Sequence, residues 1–193
     1  MWPTTHFLSH LAPLALPGAI LASPLYSVLL PVTLGGLTGY AVNTRSDTKA
    51  TYAHLRQPPG RPPAWLFGPV WTVLYAGMGY AAHRAHVRGA GAGVAGLYSL
   101  QLALNFAWMP LFFGARRAAA GMVEIVALDA AVLALAATLR GIDGVAAALL
   151  APYLAWLGYA SYLTAGIGYL NGWDIEGAVR RGEERERKAG KKQ

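Results

Sequence analysis

The charged residues of this chain lie in clumps, and long apolar stretches run between them. No Lys, Arg, Asp or Glu precedes Arg45. Residues 62–83, 89–115 and 144–173 carry none, and 118–139 carry only Glu124 and Asp129. A helix that crosses the bilayer hydrocarbon needs about 20 mostly apolar residues, and each gap reaches that length. The pattern therefore predicts an all-α integral membrane bundle of five transmembrane helices, with spans at about 24–43, 64–84, 93–113, 118–139 and 145–170. A soluble helical bundle with the same gaps would keep little polar surface. Three segments follow: an N-terminal extension over 1–22, a five-helix membrane domain over 23–173, and a basic charged tail over 174–193.

The extension is apolar but broken by Pro3, Pro13 and Pro17, and a sixth span there is disfavoured by those prolines. It lacks the basic start of a secretory signal and the Arg of a mitochondrial presequence. Composition agrees with the span reading. Hydrophobic residues make up 55% of the 193 and charged ones 13%, against roughly a quarter charged in soluble domains. The absence of cysteine excludes disulfides, thiolate metal sites and cysteine nucleophiles. The net charge of +7 is not spread over the apolar-poor surface that nucleic acid requires, so no nucleic-acid partner is expected.

With five spans, the loops carrying Arg84, Arg88 and Arg140 share the side of the N-terminus. Arg45, Lys49, Arg56, Arg61, Arg116, Arg117 and the seven bases of the tail lie on the other side, a tally of 3 against 13. The positive-inside rule then places the tail and the first loop in the cytosol. The first loop ends in Gln57-Pro58-Pro59-Gly60-Arg61-Pro62-Pro63. Its prolines enforce extended geometry suited to a lid or a spacer.

Three aromatic sets stand out. On the third span Asn105, Trp108 and Phe112 fall at i, i+3 and i+7, on one face. On the fifth, Tyr153, Trp156, Ala160 and Leu163 recur at i, i+3, i+7 and i+10, and the small Ala160 leaves room beside the Trp156 indole. The second span opens with Trp65 and Trp71. Flat apolar ligands want broad aromatic walls with one or two fixed polar groups, and the Asn105 amide supplies a donor and an acceptor. Interface-belt anchoring of Trp65, helix-to-helix bonding by Asn105 and plain packing by Trp156 are the competing readings. Glu124 and Asp129 are the only acids inside a span. Five residues apart on a helix is about 140°, so they form no paired-carboxylate site. An intramembrane acid is a functional candidate, whereas Asp129 is expected to meet a neighbouring helix or polar loop atoms.

The run Pro62-Pro63-Ala64-Trp65-Leu66-Phe67-Gly68-Pro69-Val70-Trp71-Thr72-Val73-Leu74-Tyr75 closely resembles the translocator protein family (TspO, the peripheral benzodiazepine receptor). Gln101-Leu102-Ala103-Leu104-Asn105-Phe106-Ala107-Trp108-Met109-Pro110 and Pro152-Tyr153-Leu154-Ala155-Trp156-Leu157-Gly158-Tyr159-Ala160 continue the resemblance, which covers roughly 28–172. It implies a five-helix membrane bundle, often a homodimer, that binds porphyrin, haem, sterols and benzodiazepine-type ligands. It draws Trp65, Trp71, Asn105, Trp108, Phe112, Tyr153, Trp156, Ala160 and Leu163 toward a ligand pocket, and it aligns Glu124 with an acidic position facing that cavity. Two departures stand out. Gly60 occupies a position where members usually carry Trp, and the sterol motif of the last helix is replaced by Leu163-Thr164-Ala165-Gly166.

The function expected is binding and transport or sensing of tetrapyrroles, with sterols a further class. No catalytic residues, no metal ligands and no obligatory cofactor are expected, with porphyrin or haem as ligand. Light- and oxygen-dependent porphyrin degradation, supported by the nearby indoles, is the enzymatic alternative, and proton-coupled transport through Glu124 a second. The compartment expected is the mitochondrial outer membrane, with endoplasmic reticulum or a bacterial membrane as alternatives.

Overall fold

The computed structural model describes residues 4–190, and among them every regular element is helical. Lys191 and Lys192 of the basic tail lie outside the described residues. Two short helices, α1 (Thr4–Leu11) and α2 (Gly18–Ala22), precede the long α3 (Pro24–Ser46). A short α4 (Thr48–His54) and the Pro-rich loop lead to α5 (Phe67–Val87). Then come α6 (Ala92–Met109), α7 (Ala118–Arg140), α8 (Gly144–Leu149), α9 (Ala151–Leu170) and α10 (Ile175–Gly190).

Local chemistry sets several boundaries. Ser23 caps α3 by accepting from the Tyr26 N–H at 3.4 Å, with Pro24 in the first turn, where its missing N–H costs nothing. Asp47, at φ 41°, ends α3 and accepts from the Ala50 N–H to start α4. Pro110 lacks the N–H that would extend α6, and the chain leaves that helix through a wide turn in which the Ala115 N–H reaches the Pro110 carbonyl at 2.7 Å. Asp143 caps α8 twice, accepting from Val145 and Ala146, both at 2.9 Å. The same carboxylate takes Arg84 at 2.8 Å and Arg88 at 3.5 Å, tying the α5 end to the α7–α8 turn.

Among the described residues, three segments are long and apolar enough to cross a membrane: Pro24–Ser46, Ala118–Arg140 and Gly144–Leu170, the last being α8 and α9 in sequence. Gln101 and Asn105 dilute α6, and Trp, Tyr, His and Arg84 dilute α5. The outer surface is apolar. Leu25, Leu37, Tyr40, Val73, Val123 and Leu133 are all exposed, as suits a lipid solvent rather than water.

The larger core joins α5, α6, α7 and α9 through residues such as Met78, Leu97, Leu128, Val132, Leu135, Tyr153 and Leu157. A second core at the α10 end gathers Val42, Leu55, Phe112, Phe113, Ile167, Ile175 and Val179. The N-terminal extension is folded onto the bundle. Gly93 and Gly96 of α6 receive the Leu8 and Leu11 carbonyls so closely that a Cβ at either would collide with them. The Leu16 N–H donates to Ser99 Oγ at 3.1 Å one turn further on, and Leu21 is buried against the core.

Candidate functional site

The site grows from α5, which places Trp71 and Tyr75 one turn apart. Their ring centroids are 5.4 Å apart. Trp71 meets Tyr153 of α9 edge-on at 6.0 Å, and Tyr75 meets Phe106 of α6 at 5.8 Å. Toward the Pro-rich loop, Phe67 sits between Tyr52 and Trp156, each at 5.9 Å, and Trp156 meets Tyr159 at 5.5 Å. These contacts form two groups of rings, one by the loop and one at the centre of the bundle, which together make up an aromatic column. Gly35 of α3 leaves the space the Tyr75 ring fills, since a Cβ there would collide with that ring.

The Pro-rich loop is pinned over this column. Tyr159 donates to the Gly60 carbonyl at 2.6 Å and Tyr162 to the Pro59 carbonyl at 3.1 Å. Tyr52 donates to the Pro62 carbonyl at 3.2 Å, and Gln57 Nε2 to the Tyr52 carbonyl at 2.9 Å. Burial pushes the Tyr52 phenol above its ordinary pKa, against the lowering charge of Arg61, so it stays a donor at neutral pH. Gly60 stands at φ 79°, in the left-handed region that glycine enters at no steric cost.

Beneath the loop runs a buried polar relay. Tyr75 donates to Asn105 Oδ1 at 2.6 Å, Asn105 Nδ2 donates to Tyr153 Oη at 2.8 Å, and Tyr153 donates to Gln101 Oε1 at 3.2 Å. Both ends of the Asn105 amide are thus engaged, and they join α5, α6 and α9. Other polar atoms in the interior have no partner. The Trp156 and Trp108 indole N–H groups and both Glu124 carboxyl oxygens are buried without a hydrogen bond. Buried polar groups normally find one, and in a bilayer no bulk water supplies it. Asp129, by contrast, accepts from Ser161 of α9 at 2.7 Å, the neighbouring-helix contact expected of it.

The structure brings together Trp71, Asn105 and Tyr153, while Trp156 meets Phe67 and Tyr159 nearer the loop. It sets Trp108 stacked on Phe112 at 4.9 Å and 13°, and Phe112 is fully buried in the α10-end core. Leu163 is buried, Ala160 half-buried, and Trp65 is 71% exposed on the outside. Sequence reasoning missed Tyr52, Phe67, Tyr75, Gln101, Phe106, Tyr159 and Tyr162 as contributors. Gln101 was legible, one turn before Asn105 on the same face. Tyr159 and Tyr162 were not, because their partners on the loop lie about a hundred residues away in sequence.

A helical bundle with an apolar outer surface, an aromatic interior and a pinned loop above it defines an integral membrane protein built around its own core. Residues 27–170 match the TspO/MBR family, and the chain belongs to it. It is 42% identical to the translocator protein homolog of Schizosaccharomyces pombe, over 74% of this chain and 88% of that protein. Identity to the translocator protein of Bos taurus is 41%, over 70% and 82%. The tryptophan-rich protein TspO of Archaeoglobus fulgidus is 38% identical, over 76% and 96%. The extension before residue 27 and α10 lie outside the family match.

Proposed function

We propose that the protein binds tetrapyrroles, porphyrin or haem, between its helices and transports or senses them, with sterols as a further ligand class. The observation that carries this reading is the aromatic column under the pinned loop, where the Trp156 indole N–H is buried without a partner. A flat macrocycle offers the ring faces these aromatics pack against and the acceptors that the indole lacks. The buried Glu124 oxygens also have no partner and call for donors. In this reading α3, α5, α6, α7 and α8–α9 make five spans, and the protein pairs as a homodimer. The asymmetry of basic residues supports a cytosolic α10 in the mitochondrial outer membrane, and the similarity to archaeal and bacterial proteins keeps a prokaryotic membrane as the alternative.

The test is titration of protoporphyrin into the detergent-solubilised protein, followed by tryptophan quenching, with Trp156→Phe beside the wild type. The variant keeps a ring but loses one hydrogen bond, about 0.5–1.5 kcal/mol, so affinity should fall roughly threefold to tenfold. Absence of saturable quenching in the wild type would refute the tetrapyrrole reading. Illumination of the same samples reports on turnover. Loss of porphyrin absorbance faster than without protein would favour the degrading enzyme, for which Trp71 and Trp156 in the column are the supporting observation.

A further inference from the structure

At the α10 end of the bundle a cavity of about 300 Å3 opens between three elements. His54 and Arg56 line it from the end of α4 and the Pro-rich loop. Leu170, Asn171 and Gly172 line it from the α9–α10 turn, and Ala178, Arg181, Gly182 and Arg185 from α10. Three guanidinium-bearing residues face this space, and no acidic residue is among its lining. Arg181 and Arg185 are four apart on the helix and so share a face. Asp174 lies 3.5 Å from Arg181, and it also accepts from the Gly177 N–H at 2.9 Å.

The cavity is built rather than incidental. Asn171, buried, donates to the Arg56 carbonyl at 2.9 Å and accepts from the Arg56 N–H at 3.1 Å, which clamps the Pro-rich loop to the turn. Gly182 lets α10 lie against α4, since a Cβ there would stand 2.8 Å from His54 Cβ. Arg116 pairs with Glu176 at 2.9 Å, and Ile175, Ala178 and Val179 are buried in the second core. Depth follows from the aromatics at its rim. Tyr169 and Trp173 are exposed beside Leu170 and Gly172, and such amphipathic rings sit at headgroup level.

We propose that this cavity binds a phosphate-bearing anion, which at this depth is the headgroup of an acidic phospholipid. Guanidinium forks match phosphate oxygens in paired hydrogen bonds, and a cavity of this volume is large enough for a headgroup. The site is separate from the aromatic column, so it stands or falls independently of the tetrapyrrole reading.

The test uses the full chain in nanodiscs of phosphatidylcholine with and without phosphatidylserine or phosphatidic acid, counting bound lipid by native mass spectrometry. Arg56→Gln, Arg181→Gln and Arg185→Gln are combined, and Arg117→Gln, Arg180→Gln and Arg187→Gln form a control that removes equal charge from exposed positions outside the cavity lining. Wild type and control should retain one acidic lipid saturably. The cavity variant should bind it about fivefold more weakly for each guanidinium lost. Three Arg→Lys replacements, which keep the charge, should restore part of the affinity and show that the helix still folds. Inorganic phosphate added to the discs that contain phosphatidylserine separates the sources. Retention of the acidic lipid is expected for a headgroup held from the bilayer, and its displacement by phosphate would overturn the headgroup assignment in favour of a free-phosphate site. Equal losses in cavity and control variants, or no saturable acidic lipid in the wild type, would overturn the proposal.

Discussion

The buried relay through Asn105 makes a quantitative demand on stability. Asn105→Leu keeps the side-chain volume close but removes both partners. Tyr75, 8% exposed, loses its hydrogen bond to Asn105, and Tyr153 keeps Gln101 at 3.2 Å. An orphaned buried hydroxyl costs about 1–3 kcal/mol. The lost bond to Tyr153 adds about 0.6 kcal/mol on the scale of interhelical bonds in membranes. Asn105→Leu should therefore destabilise the bundle by about 2–3 kcal/mol. Tyr75→Phe alone leaves Asn105 its bond to Tyr153 at 2.8 Å and should cost about 1 kcal/mol. The two groups are partners, so the double variant removes the orphan and should be destabilised by less than the sum, by about 1 kcal/mol or more. Denaturant titration in mixed micelles of all four proteins gives the cycle. Additive losses would refute the reasoning, because they would mean that the hydroxyl finds another partner or that the bond contributes nothing. Porphyrin affinity in the same four proteins separates roles. If Asn105 only holds helices, affinity should track stability across the cycle, whereas a deficit confined to the Asn105 variants would put the amide against the ligand.

Three further outcomes follow from the packing. Gly79 of α5 lies against the α3 backbone, where a Cβ would collide with the Ser27 carbonyl and approach Val28 Cα to 2.9 Å, so Gly79→Ala should cost about 1–3 kcal/mol, while Gly68→Ala, with open space around it, should be neutral or stabilising by thermal melt. The Asp143 carboxyl is held below the ordinary aspartate range, first by the Ala146 N–H and then by Arg84. Its stabilisation is thus complete at neutral pH and lost as pH falls below about 4; Asp143→Asn should lower the melting temperature at pH 7 and flatten its decline in acid, and an unchanged acid limb would contradict this. Gly96→Leu should lift residues 4–16 from α6, seen as faster protease cleavage of the extension with the rest of the bundle intact, and unchanged cleavage would show that the carbonyl contacts do not hold it.

Much of the architecture was written in the chain itself. Apolar runs long enough to span a bilayer, bounded by charges and prolines, mark where helices begin and end, because backbone in hydrocarbon must satisfy its own hydrogen bonds. The family was equally legible, since its motifs are contiguous. Helical spacing put Asn105 and Trp108 on one face of α6 and Tyr153 and Trp156 on one face of α9. Spacing within a helix is blind to what stands opposite. Only the tertiary structure decided that Tyr75 and Tyr153 occupy both ends of the Asn105 amide, that Phe112 turns into the α10-end core while Trp71 joins the column, and that Trp65 faces outward. It also decided that the extension lies on α6 and that α10 closes a basic cavity, features of segments outside the family match. The physical reason is common to all of these. Each depends on two helices meeting at a particular rotation, which is chosen by small residues such as Gly35, Gly79 and Gly96 admitting a specific neighbour. No pattern of hydrophobicity along one helix encodes that choice.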